Sequence, residues 1–244
     1  MPTDYTTIGI IGAMDSELSL LLASVKKHRQ EDVYGLTFHI GVLSGQQIVL
    51  VKAGIGKVNA ARCTQLLIDR YRPDAIINTG IAGGLSPELR VGDIVVAEGL
   101  LQHDFDVTAF GHAKGYLCSG GDDSVPTIFR ADKLISDTLA EAARVVLCKE
   151  KVHTGLIATG DQFISGRESK AVIYDVFHAS AAEMEGGAIA QVAALSDIPF
   201  AVIRAISDLA DGTAVGAYDV FEQQTANNSA ATVKQTLHLL TRKE

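Results

Sequence analysis

The apolar positions of this chain fall into short runs separated by glycine and polar punctuation. Thr7–Gly12, TIGIIG, is a β-branched run closed by glycine and predicts a buried first strand. Asp15 or Ser16 can then cap a helix through Leu18–Leu22 to about Lys27, apolar on one face. Leu36–Leu43 and Gln47–Lys52 flank Ser44-Gly45 and predict a β-hairpin. Gly54-Ile55-Gly56 opens a helix over Val58–Tyr71, which ends before Pro73. Ala75–Asn78 predicts a strand followed by a loop at Thr79–Gly84, and Asp93–Ala97 repeats the strand pattern. Gly111–Pro126, rich in Gly, Ser and Asp, is the most loop-like stretch. Beyond it come a helix over Ala131–Leu147 and a strand over Val152–Ala158 leading into Thr159-Gly160-Asp161. A small-residue helix over Glu185–Leu195, a strand over Phe200–Ile206 and a last helix over Asn227–Leu240 complete the chain. Strands alternating with helices predict an α/β fold, one domain over residues 1–244. It is a three-layer α/β/α sandwich around a twisted, largely parallel sheet that the hairpin makes mixed.

Composition narrows the partners. With 47% hydrophobic residues in 244 and a positive mean hydropathy, the chain can bury a large core. Charged residues make up 20%, which fits buried strands or a hidden oligomer face. A formal net charge of −8 with no basic stripe argues against nucleic acid or an anionic membrane as partner. Cys63, Cys118 and Cys148 are too scattered for a metal knuckle or a disulfide framework and read as reduced cytosolic thiols. Met1–Thr7 lacks the pattern of a signal peptide, and no uncharged apolar run reaches membrane-spanning length. A cytoplasmic protein is expected.

In such sheets ligands bind at the carboxyl ends of strands. Gly9, Gly12, Gly54, Gly56, Gly80, Gly83 and Gly84 make neither a dinucleotide fingerprint nor a P-loop; they suit tight turns or close backbone approach to a flat ligand. The carboxylates say more. Glu17 lies at the start of the first helix, where the helix dipole favours its charged form. Glu183 and Glu185 flank Met184 in a stretch of small residues, and Asp208 ends an apolar strand that contains Arg204. Buried carboxylates need partners, so a structural ion pair to Arg204 competes with a catalytic reading of each. His103, Asp104 and Asp106 match no metal-ligand spacing. Phe163 and Tyr218 suit either base stacking or the core.

Taken together, several segments resemble the 5′-methylthioadenosine/S-adenosylhomocysteine nucleosidases of the purine nucleoside phosphorylase superfamily. They are IGIIGAMDSEL from Ile8, AGIGKVNAA from Ala53, INTGIAGGLSPELRVGDIVVAE from Ile77 and HDFDVTAFG from His103. ATGDQFI from Ala158, AAEMEGGAIA from Ala181 and PFAVIRAISDLAD from Pro199 continue the match in order. The resemblance implies the fold of nucleoside phosphorylases and hydrolases, no cofactor and no metal. It implies Glu17 as the base that activates water, Asp208 as the acid at purine N7, and Glu185 with Met184 as the ribose clamp beside Glu183. Phe163 would stack on the base and the backbone of Ile164 would read the adenine edge. Met14, Ile55, Ile81, Ala82 and Gly83 would wall the pocket, Arg204 and Ser207 would support the acids, and Tyr218 would lie near the 5′ substituent. Family members are homodimers in which the region around Phe110 lends residues to the neighbour's pocket.

The residue types suit the chemistry. Glycosidic cleavage develops positive charge on the sugar and negative charge on the departing base, so it needs an acid, a base and a carboxylate at the ribose. Two positions depart from the family pattern. Ile81 stands where many members have Ser, and GHAKGYLCSGGDDSVP from Gly111 brings His112 and Cys118 to a region bordering the 5′ substituent. A phosphorylase on the same fold would need a cation for phosphate, yet the first strand-to-helix loop, Gly12–Glu17, carries two acids and no Arg. A purine-binding protein without activity would have no use for Glu17, Glu185 and Asp208 together. An aminodeoxyfutalosine nucleosidase is compatible with the same residues.

Overall fold

A computed structural model describes residues 5–118, 121–212 and 214–241, apart from the side chains at positions 214, 215 and 217–219. Ten strands form one mixed sheet. They are β1 Thr7–Gly12, β2 Lys26–Val33, β3 Leu36–Leu43, β4 Gln46–Lys52, β5 Ala75–Gly84, β6 Ile94–Gln102, β7 Phe129–Arg130, β8 Val152–Thr159, β9 Ala181–Glu183 and β10 Phe200–Asp208. The order is β10-β6-β8-β9-β5-β1-β4-β3-β2, with β7 on β6. Because β10 also pairs with β5, strands β5, β10, β6, β8 and β9 close into a ring, and β1–β4 extend from it as an open wing. The β2–β3–β4 pairs are antiparallel, whereas β1 lies parallel to both β4 and β5.

Helices cover both faces. On one, α2 (Lys57–Tyr71) and α5 (Gly186–Leu195) bury Ala60, Cys63, Leu67, Ile189 and Ala193 against the sheet. On the other, α1 (Asp15–Leu22), α3 (Lys133–Val146) and α6 (Ala214–Leu240) bury Leu18, Leu21, Ile135, Leu139, Val233 and Leu237. The remaining helix, α4 (Arg167–Phe177), contributes Ile173 and Phe177 to a smaller core. α3 owes its start to Asp132, whose carboxylate accepts from the Ile135 N–H. Gly56 precedes α2 with φ 95°, a conformation that costs a residue without Cβ little.

Several boundaries differ from the sequence expectation. The first helix is capped by Met14 and stops at Leu22, and Lys26–Val33 (KKHRQEDV) is a strand. It is an edge strand, polar and exposed along most of its length, so alternation gave no sign of it. Thr79–Gly84 is strand, not loop, and β6 runs on to Gln102. The last helix begins at Ala214, well before Asn227. No helix among the described residues is long and apolar enough to cross a membrane.

Candidate active site

A cleft opens where β1, β5, β9 and β10 deliver their ends, and four carboxylates line it: Glu17, Glu183, Glu185 and Asp208. All four are buried. None of the described lining residues is Lys, Arg or His.

Glu17 sits at the third position of α1 and folds back over the helix start. Its Oε2 accepts from the N–H groups of Ala13 (2.6 Å) and Met14 (3.0 Å), and its Oε1 accepts from the Ile81 N–H (3.1 Å). Carboxylates commonly satisfy helix N-termini in this way. Burial nevertheless pushes its pKa up, against the Arg204 charge and the three N–H donors. The N–H groups at the helix start favour the charged form, as expected from sequence, and burial opposes them.

Beneath the cleft Arg204 is fully buried inside the ring. It is paired with Glu183, donates to Asn78 Oδ1 (2.6 Å), and lies 3.7 Å from Glu185 Oε2. Its guanidinium crosses the face of Gly80, where a Cβ would collide with it and with the Glu17 carboxylate. Burial works against the charged guanidinium, and Glu183, Glu185 and Glu17 outweigh it and raise its pKa. One cation among three carboxylates leaves excess negative charge, and burial together with the charge of Glu183 raises the pKa of Glu185.

Glu183 and Glu185 divide the work. Glu183 accepts from the Thr159 hydroxyl, from Arg204, and from the N–H groups of Glu185 (3.0 Å) and Gly186 (2.7 Å) that begin α5. Both its oxygens are thus engaged by protein. Glu185 Oε1 accepts from the Gly56 N–H (2.9 Å) at the head of α2, and the residue borders the cleft beside Met184. The structural ion pair weighed from sequence exists, and Glu183 is its principal acid.

Asp208 closes β10. Its Oδ2 accepts from the Ser207 hydroxyl (2.9 Å) and its Oδ1 from the Ala210 N–H (3.0 Å). Burial raises its pKa in spite of these donors. Gly83 lies alongside, where a Cβ would come within 3.1 Å of Asp208 Oδ1. Glu17 and Asp208 are thus two buried carboxyls of raised pKa bordering one cleft, each within reach of a proton transfer to or from a bound ligand.

Of the other expected site residues, Met14, Ile55, Ile81, Ala82, Gly83, Phe163 and Ser207 line the cleft. Ile55 and Phe163 stand half-exposed at its mouth. Ile164, the residue after Gln162-Phe163, lines a neighbouring cavity with His103 and Asp104. Phe110 ends a 3₁₀ turn, Thr108–Phe110, and is 80% exposed. Tyr218 falls in α6, with its side chain outside the described residues. Sequence reasoning passed over Asn78, and it gave Ala13, Gly56 and Thr159 no role as hydrogen-bond donors to the acids. Asn78 carried a visible signal, a polar residue inside the apolar run AIINTG, whereas the backbone donors of Ala13 and Gly56 carry none.

The phosphorylase superfamily model matches residues 7–240. A 5′-methylthioadenosine/S-adenosylhomocysteine nucleosidase of Geobacillus kaustophilus is 41% identical over 235 residues, 96% of this chain and 97% of the relative. The chain belongs to this nucleosidase family. A nucleosidase of Staphylococcus aureus is 39% identical over 93% of this chain and 97% of its own length. Among solved nucleosidases, that of Neisseria meningitidis in complex with methylthio-immucillin-A superposes with a TM-score of 0.90 at 38% identity, covering 96% of this chain and 99% of the other. A futalosine hydrolase of Helicobacter pylori superposes at 0.87 with 31% identity, covering 95% and 97%.

Proposed function

We propose that this chain hydrolyses the N-glycosidic bond of 5′-methylthioadenosine and S-adenosylhomocysteine, and also of 5′-deoxyadenosine. The observation that carries this reading is a cleft lined by four carboxylates and by no cation among its described residues. Phosphate would meet negative charge there, whereas water would meet a base.

In the proposed reaction Glu17 takes a proton from water as the oxygen attacks C1′. The bond from C1′ to N9 breaks and its electrons pass to the purine. Asp208 gives its proton to N7, and adenine leaves with a 5-thio-substituted ribose as co-product. Glu185 holds a ribose hydroxyl and steadies the positive charge on the sugar. Glu183 and Arg204 keep Glu185 in place, while Phe163, Ile55 and Met184 enclose the apolar faces of the ligand. Methionine salvage and the recycling of S-adenosylmethionine by-products are the metabolic setting. Adenine is expected to appear in phosphate-free buffer, with no ribose 1-phosphate when phosphate is added; strict dependence on phosphate would overturn the hydrolase reading. Futalosine-type nucleosides are a second substrate class, favoured by the Helicobacter pylori likeness, and belong in the same substrate panel.

We read the chain as a single-domain, cytoplasmic protein that works as a homodimer. Ile55 (52% exposed) and Phe163 (47%) leave the mouth of the cleft uncovered in one copy, and Val58, Phe110 and Leu195 are also exposed. A partner's Phe110 region closing over the mouth would complete the 5′ side of the pocket and bury this apolar surface. Light scattering at micromolar concentration should give twice the chain mass, and a fully active monomer would contradict it.

A further inference from the structure

The acid at the end of β10 is held from a side the reaction does not use. Lys170, in the first turn of α4, reaches across to the ends of two neighbouring strands. Its Nζ donates to the carbonyl of Gly84 (2.9 Å) at the end of β5 and to that of Leu209 (2.8 Å) just after β10. Next to it Arg167 Nε donates to the Asp211 carbonyl (3.2 Å), and the Gly212 N–H donates to the Ser165 carbonyl (2.8 Å). α4 and the residues before it thus grip the segment Leu209–Gly212 at three points. That segment supplies the Ala210 N–H, one of the two donors that aim the Asp208 carboxyl. Gly84 follows Gly83, the residue packed against that same carboxyl. A partly buried ammonium that gives up water needs hydrogen bonds in return, and here both acceptors flank the acid.

We propose that Lys170 is a positioning residue for the acid, clamping the two strand ends that carry Gly83 and Asp208 so that the carboxyl faces the purine side of the cleft. The proposal rests on the reading of Asp208 as proton donor. The clamp also brings charge. Burial depresses the Lys170 pKa, yet Asp211 and Asp208 favour its charged form. In return Lys170 lowers the Asp208 pKa, while Asp211 raises it. The remaining ionisable groups on these elements are Arg167, Glu168, Tyr174 and Asp175 on α4 and Arg204 within β10, with Glu17, Glu183 and Glu185 across the cleft. Lys170 therefore limits how far burial can push the acid upward.

Protonated Asp208 is the active form, so activity falls as pH rises through its pKa, and removing Lys170 raises that pKa. In the full-length protein, Lys170→Met should move the descending limb of the kcat/KM profile for 5′-methylthioadenosine to higher pH. It should also lower kcat roughly tenfold through lost orientation, with a smaller change in KM. Lys170→Arg, which keeps the charge, should return the limb toward its original place, and Asp211→Asn should move it the opposite way. A limb that stays put in Lys170→Met would overturn the proposal, whether kcat is unchanged or falls with thermal stability. Asp208→Asn, measured alongside, separates the two readings. If it abolishes the descending limb while Lys170→Met does not shift it, the clamp is wrong and the acid stands; if it keeps the limb, the acid itself is misassigned.

Discussion

Asp208→Asn should lower kcat for 5′-methylthioadenosine by about 10²–10⁴, the range of a lost general acid. The amide preserves shape and can still accept from one of the two donors, the Ser207 hydroxyl or the Ala210 N–H, so binding should suffer less than turnover. Adenine is a poor leaving group and needs the proton at N7. A riboside with an activated leaving group, such as p-nitrophenyl, does not, and its cleavage should be affected far less if the cleft accepts it. The pH profile supplies a second reading. Burial raises the pKa of Asp208, whose protonated form is the active one in the proposed reaction, so the wild-type rate should decline as pH rises through that value. The variant should lose this descending limb and keep the ascending one. Steady-state kinetics from pH 5 to 10 would check both, and near-normal adenine release by the variant would remove Asp208 from the mechanism.

Glu17→Gln should be at least as damaging, by about 10²–10⁴ in kcat, and without regard to the leaving group. Its carboxylate is surrounded by donors alone: Ala13, Met14 and Ile81 N–H groups on its two oxygens. An amide offers one oxygen to them and turns an NH₂ toward the rest, so the variant loses the base and sets donor against donor. The sign of the pH effect is opposite to that of Asp208. In the proposed reaction Glu17 must be ionised to take the proton of water, and burial raises its pKa, so activity should decline as pH falls through that value. The variant should lack the ascending limb. A substrate with an activated leaving group should rescue Asp208→Asn and not Glu17→Gln. Equal rescue of both would mean that the two carboxyls do not divide acid and base between them.

Parts of this architecture were open to inspection in the sequence and parts were not, for identifiable reasons. β1, β3, β4, β8 and β10 are apolar runs between turn residues, and α2, α3 and α5 keep helical spacing, so their positions follow from pattern. β9 is three residues long, AAE, and exists because β5 and β8 pair with it on either side. α4, RESKAVIYDVF, escaped attention although two of its residues grip the acid's loop. For the site, residue types and the family likeness singled out Glu17, Glu185 and Asp208. The tension between Arg204 and the neighbouring acids was also legible, since a cation in an apolar strand must find a counter-charge. What the chain did not disclose is which acid would take that cation. Thr159 and the start of α5 converge on Glu183 and settle the matter through contacts between distant segments.

The closed ring of strands also orders events during synthesis. β10 enters between β5 and β6, pairing Phe200 with Ile76 across about half the chain. A nascent chain that has emerged only as far as Pro199 has Glu17, Glu183 and Glu185 but not Arg204, and Asn78 has no guanidinium to receive. Three carboxylates without their cation resist being drawn out of water. Ring closure, the pairing of Glu183 with its cation and completion of the cleft therefore all require the last strand. A product truncated before that strand should accordingly be cleaved faster by protease than the full chain.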